Sequence, residues 1–201
     1  EVEQSAWNPY SVFLGIYLIG VFCFLLQMLV SVIRILQIIR TGNSLVVDGV
    51  SAYLVPKEVA PFSWMNTIIL SEKDWKENGK EILTHEKAHI SAGHAYDLIA
   101  INICVLFQWF NPAIWLLKQE LQSLHEYQAD EAVLKQGIDA KKYQLLLIKK
   151  TVGSQRFISV ANSFNQSNLK SRITMMLKQK SNPWRRLRFA GILPLAAVAI
   201  A

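Results

Sequence analysis

Cysteine is scarce in this chain: two in 201 residues, Cys23 and Cys104, each inside an apolar run. That excludes a disulfide framework and makes neither a convincing metal ligand, so both are expected to be small buried hydrophobes. Internal repeats and low-complexity segments are lacking too. Formal charge is missing from Tyr10 to Ile33, and acid is missing from Lys170 to Arg188, which holds seven positive charges. No basic leader or small-residue cleavage site accompanies the first stretch, which excludes a signal peptide. No nucleic-acid fold signature accompanies the second, so direct nucleic-acid binding is not expected.

What is present is apolar and basic. Hydrophobic residues make up 52%, mean hydropathy is +0.23 and the pI is near 9.3. This argues against a freely soluble protein and for a membrane protein with a basic face. Tyr10 to Ile33 is long enough to cross a hydrocarbon core of about 30 Å as a helix. Arg34 and Arg40 follow it, whereas only acid precedes it, so its C-terminal end is expected in the cytoplasm. The chain opens on this span without an initiator Met, and is expected to begin inside a longer protein.

The chemistry is concentrated in His85-Glu86-Lys87-Ala88-His89. On a helix, positions i and i+4 share a face, so His85 and His89 can offer two imidazoles to one ion. Two imidazoles and one carboxylate form a common catalytic zinc set with room for a water, and Glu86 is placed to take that water's proton. The third ligand is sought in His125-Glu126-Tyr127-Gln128-Ala129-Asp130. Glu126 can complete the shell while Asp130 hydrogen-bonds the outer nitrogen of a ligand histidine. His125 faces about 100° away and is read as a non-ligand. His94, five residues past His89, points off the ligand face and suits capping, substrate contact or a merely polar role. Asp97 is its candidate partner, or that of a basic neighbour.

His-Glu-x-x-His followed by Glu-x-x-x-Asp resembles the gluzincin membrane peptidases, of both the prenyl-protein/HtpX type and the BlaR/MecR antirepressor type. The words Pro61-Phe-Ser-Trp-Met-Asn, Trp109-Phe-Asn-Pro112, His125-Glu-Tyr-Gln-Ala-Asp130 and Asn162-Ser-Phe-Asn165 favour the second, over about residues 40 to 180. The resemblance implies a zinc ion held by His85, His89 and Glu126, with Glu86 as general base and Asp130 behind the ligands. It also implies that Asn162 lies near the active site, where it can contact substrate; otherwise the polar stretch from Gly153 to Ser167 is a plain loop.

Around the motifs, Ser44 to Val55 reads as a hairpin about Asp48-Gly49, and Ser63 to Leu70 as a further strand, giving a sheet of about three strands. Its edge is either a cradle for an extended peptide or a cover for the catalytic helix. Ser71 with Asp74 forms a capping box, and Asn78-Gly79 breaks the short helix before the catalytic one, which begins near Lys80. The apolar run from Leu98 to Leu117 is divided by Asn111-Pro112, a helix-start signature, into an antiparallel hairpin buried in protein or dipping into the bilayer. A single crossing would put Glu126 across the membrane from the two histidines. At about 1.5 Å per residue a straight hairpin misplaces Glu126 by about 9 Å, so the helices cross at an angle or the first bends, with Gly93 the obvious place. Gly137 is a natural end for the helix carrying Glu126. From Asp139 to Val152 an amphipathic helix should pack Tyr143, Leu146 and Leu147 on the core and leave its lysines wet.

The expected fold is a mainly α membrane protein with a small β-sheet, gluzincin-like catalytic helices and flanking transmembrane helices. Residues 1–40 form the N-terminal transmembrane helix, and 41–180 the cytoplasmic-facing metallopeptidase domain, with a membrane-dipping hairpin near 98–117. Residues 181–201 form a basic flank and the start of a further span. The expected location is the bacterial inner membrane, multi-pass, with the lipid bilayer as one partner and a protein substrate as the other. The function expected is zinc-dependent endopeptidase, with a cytoplasmic transcriptional repressor as substrate by resemblance. A quality-control or maturation peptidase is the alternative, and an inactive signalling scaffold a second, against which an intact Glu86 counts.

Overall fold

The computed structural model describes residues 9–154 and 161–178, with backbone alone over 152–154 and 161–167. Helix α1 (Pro9–Thr41) carries no charge from Tyr10 to Ile33 and has no buried residue. Among the described residues it is the one continuous helix long and apolar enough to cross a membrane. The region 181–201, expected to begin another span, lies outside the described residues. Cys23 and Cys104 are both exposed rather than buried. The expectation failed because they sit on apolar helices whose outer faces pack against no protein.

Four strands follow: β1 (Asn43–Val47), β2 (Val50–Val55), β3 (Phe62–Trp64) and β4 (Thr67–Ser71). The Asp48-Gly49 turn forms the hairpin expected, with both residues at positive φ. One more strand is present than the three expected. Met65, at φ 51°, turns the chain back between Trp64 and Thr67, so the run from Ser63 to Leu70 is a second hairpin. The sheet order is β1-β2-β4-β3, with β2 and β4 parallel and the other pairs antiparallel. This leaves β3 as an edge.

Ser71 caps helix α2 (Glu72–Ala92), its hydroxyl accepting from the Asp74 amide at 3.1 Å. Asn78 leaves helical geometry (φ −144°, ψ 33°), so the catalytic turn begins after a kink, as Asn78-Gly79 suggested. Gly93 then ends α2 in the left-handed region (φ 73°), its amide reaching back to the Ile90 carbonyl at 3.0 Å. A side chain there is strained, which is why glycine marks this corner. Helix α3 (His94–Phe107) leaves at 62° to α2. That bend is how the chain escapes the 9 Å misfit of a straight hairpin.

Asn111 caps helix α4 (Pro112–Lys135), accepting from the Ala113 amide at 3.0 Å with Pro112 in the first turn. Gly137 (φ 78°) turns the chain into helix α5 (Ala140–Ser154). Helix α6 (Ala161–Leu177) corrects the plain-loop reading of Gly153–Ser167 over its first seven residues.

Two cores result. One joins Ala52, Ile68 and Leu70 of the sheet to Ile82, Val133, Tyr143 and Leu146 of α2, α4 and α5. The other, Ile101, Val105 and Ile114, lies within the α3–α4 hairpin and includes Phe24 of α1 at its edge. Two α5 lysines are not simply wet: Lys150 pairs with buried Asp74 and Lys142 with buried Glu81, fastening α5 along α2.

Candidate metal centre

Helix α2 puts His85 and His89 on one face, and α4 crosses it to deliver Glu126. The Nε2 atoms of the histidines are 3.1 Å apart, and the Glu126 oxygens lie 3.4 Å from His85 Nε2 and 3.7 Å from His89 Nε2. Donors on a tetrahedral zinc, with bonds of about 2.0–2.1 Å, are separated by about 3.3 Å. The three distances match the edge of such a shell.

The outer ring nitrogens fix which atom of each ring is left for an ion. Tyr143 Oη donates to Asp130 Oδ1 at 2.7 Å, so its oxygen accepts from His85 Nδ1 at 2.8 Å. With Nδ1 committed as a donor, a neutral His85 turns the lone pair of Nε2 inward. On the other ring, His94 Nε2 donates to Gln128 Oε1 at 2.8 Å, leaving His94 Nδ1 to accept from His89 Nδ1 at 2.8 Å. His89 too turns a bare Nε2 inward. With both rings neutral, two lone pairs and a carboxylate facing one another repel unless a proton or a cation lies between them, so the residues fit a divalent metal ion.

Asp130 approaches His85 Nδ1 directly only at 3.5 Å, too long for a good hydrogen bond. Its influence passes through the Tyr143 hydroxyl instead. Tyr143 was expected to pack on the core, and its ring does, but its hydroxyl is part of the site. His94 is buried with both ring nitrogens engaged, and it stands behind His89 at the wall of the cleft. Asp97 pairs with His125 at 3.0 Å, and His125 stacks on His94 with ring centroids 3.9 Å apart. The side chain of Asn162 lies outside the described residues.

Arg172 is the residue that sequence reasoning missed. It falls in the basic run from Lys170 to Arg188, and it enters the site from α6. Nη1 reaches Glu126 at 2.8 Å, while Nε and Nη2 clasp Asp130 at 2.9 and 2.6 Å. The signal available was its period: Leu169, Arg172, Ile173 and Met176 recur at helical spacing on the less exposed face of α6.

The electrostatics follow from these contacts. Burial raises the Glu126 carboxyl, but hydrogen bonding to His85 and the Arg172 charge overcome it and bring it down to about 2; Asp130 falls to about 2 through the same partners. Burial lowers His85, yet the nearby Asp130 and Glu126 carboxylates carry it up to about 9, so without a metal a proton occupies Nε2 in place of a cation. His89, desolvated and beside the His85 charge, falls to about 4. Burial pushes the Glu86 carboxyl up, with the His85 charge opposing it. A buried carboxyl of raised pKa accepts a proton more readily than a solvated one.

These groups open on a cleft of about 830 Å³, walled on one side by β3 with its flanking loop and on the other by Leu146, Leu147 and Lys150 of α5. Ser63 of β3 and Glu86 line the same cleft, so the edge strand stands beside the candidate base.

Comparison with known proteins agrees with this geometry. The family model described as BlaR1 peptidase M56 matches residues 60–176, which include every residue of the centre. The regulatory protein BlaR1 of Bacillus licheniformis is 30% identical over 157 residues, 73% of this chain. The chain spans 24% of that relative's length. With more than half of its residues covered by the family model and the donor set converging on one point, the chain belongs to the BlaR1 peptidase M56 family.

Proposed function

We propose that this chain is the catalytic segment of a membrane-embedded zinc endopeptidase acting on the cytoplasmic side of a bacterial inner membrane. The observation that carries the proposal is the convergence of three metal-type donors, from His85, His89 and Glu126, beside the buried carboxyl of Glu86. When bound, a zinc ion would supply Lewis-acid polarisation of a peptide carbonyl and acidify a water. Among donors of this type zinc is the natural choice, since two imidazoles and a carboxylate form one of its common catalytic sets.

The chain's own residues do the rest. Glu86 accepts the proton of the attacking water and delivers it to the departing amine. Tyr143 and His94 hold the two imidazoles in one tautomer and one orientation. Arg172 keeps Glu126 and Asp130 ionised and turned inward. The free edge of β3, lining the cleft, offers backbone groups to an extended peptide. Arg34 and Arg40 at the end of α1 support the cytoplasmic placement. The relative's name, a regulatory protein, supports a place in signal transduction; a transcriptional repressor as the substrate rests on the motif resemblance alone.

Glu86→Gln tests this reading. The variant should retain its zinc while cleavage of a peptide library or of the chain itself falls by about 10²–10⁴-fold. Undiminished cleavage would remove Glu86 from the chemistry.

A further inference from the structure

We propose that the α3–α4 hairpin is a re-entrant element whose turn reaches the middle of the bilayer, clamped there against α1, so that the metal centre is held at the membrane surface. The inference rests on α1 crossing the bilayer, which is part of the reading above.

Helix α1 serves as a ruler. Its uncharged stretch runs from residue 10 to 33, about 36 Å at 1.5 Å per residue, and its centre lies near Gly20. The hairpin turn docks at that point. A Cβ on Gly20 would sit 2.2 Å from the Trp109 ring, so only glycine admits the indole. On one side Tyr17 donates to the Phe107 carbonyl at 3.1 Å and meets the Phe110 ring at 6.2 Å. On the other, Phe24 packs on Trp115 at 5.5 Å and on the core of Ile101, Val105 and Ile114. Contacts that pass from the turn to the legs as α1 descends show that the hairpin lies along α1.

The depths agree from both ends. From Gln108 back to His94 is 14 residues of α3, at most about 21 Å. From Gly20 to Ile33 is 13 residues of α1, about 20 Å. His94, and His89 just beyond the Gly93 corner, therefore stand level with the end of the apolar span, where Arg34 follows.

A turn in hydrocarbon must satisfy its own polar groups. This one does so to an unusual degree. The Gln108 amide bonds to the Cys104 carbonyl, and the Asn111 amide to the Gln108 carbonyl. Asn111 Nδ2 donates to Gln108 Oε1 at 3.1 Å, and its Oδ1 caps α4. Trp115 Nε1 donates to the Trp109 carbonyl at 2.9 Å. The buried Trp109 indole N–H is the turn's unpartnered side-chain donor among the described residues. Between Asp97 and Glu120 there is one formal charge, Lys118, and it turns onto Asn102 Oδ1 at 2.7 Å inside the hairpin. The outer surface is apolar: Phe110 is 64% exposed, Leu116 63% and Leu117 56%, continuous with the bare surface of α1. A water-exposed turn would need no such sealing, and a soluble protein would not leave these side chains uncovered.

The consequence is a restriction on substrate: a peptide bond must be presented at the lipid surface to reach the cleft. The test uses the full chain in liposomes, with spin labels at Phe110→Cys and Ile19→Cys in a background with Cys23 and Cys104 replaced by serine. Both labels should collide freely with dissolved oxygen and be protected from a water-soluble nickel chelate, at depths within a few ångströms of each other. If Ile19 reports the bilayer while Phe110 meets nickel, or meets neither reagent because a second copy covers it, the re-entrant hairpin is wrong. If Ile19 itself meets nickel, the spanning reading and this inference fall together. A control needs only the native cysteines: Cys104 and Cys23 should both resist a charged maleimide until detergent is added, and labelling of Cys104 alone would also overturn the proposal.

Discussion

Tyr143→Phe removes one oxygen and separates two roles of one side chain. The ring stays in the core, but the His85 imidazole loses the acceptor that fixes its tautomer. Zinc affinity, measured by competition with a chromophoric chelator, should fall about 10–100-fold, the usual effect of losing such a support. Unchanged affinity would mean that Asp130, 3.5 Å from His85, suffices alone. Acidity supplies a second test at this scale. In the metal-free chain His85 is raised from its ordinary value to about 9, so its pairing contributes stability in full below pH ~6.5 and loses it as pH rises through 9. His89, depressed to about 4, acts oppositely: stability is lost as pH falls below ~6.5 towards 4. Thermal melting of the metal-free chain should therefore peak near pH 6.5. Zinc replaces the His85 proton, so the loaded chain should keep its melting temperature up to pH 9, and parallel profiles for the two forms would contradict the assignment of that proton.

At the scale of elements, the corner at Gly93 decides whether α4 can bring Glu126 to the histidines. Gly93→Ala places a side chain at φ 73°, where strain is of order 1 kcal/mol or more. A lower melting temperature together with weaker zinc binding is expected, whereas Gly15→Ala, on the open face of α1, should change neither. Elements announced by strong local chemistry were legible in the sequence: the Ser71 cap, the Asn78 break, the Asp48-Gly49 turn and the Asn111-Pro112 start all stand where the chain's own signals put them. Those that depend on remote partners were not. Met65 takes a left-handed turn that no glycine marks, so one strand became two. Helix α6 lacks a strong apolar stripe because its site-facing residue is an arginine, which reads as solvent or membrane flank until Asp130 and Glu126 appear opposite it. His94 was hidden for a related reason: an angle of roughly 140° from the ligand face excludes direct ligation but says nothing of a ring standing behind His89.

Across the whole molecule, the two cores divide the labour. The sheet with α2, α4 and α5 shapes the cleft, while the hairpin packs on α1, which in the proposed arrangement holds it to the bilayer. The metal centre lies where α2 and α4 cross between them, and the account stands on its three donors acting as one site. The most direct measurement is the metal content of the purified full chain, combined with zinc-edge X-ray absorption. The account predicts one zinc per chain with only nitrogen and oxygen neighbours near 2.0–2.1 Å, and loss of that zinc in His89→Ala. A metal-free chain after purification with zinc present, sulfur in the coordination shell, or full occupancy in His89→Ala would contradict it.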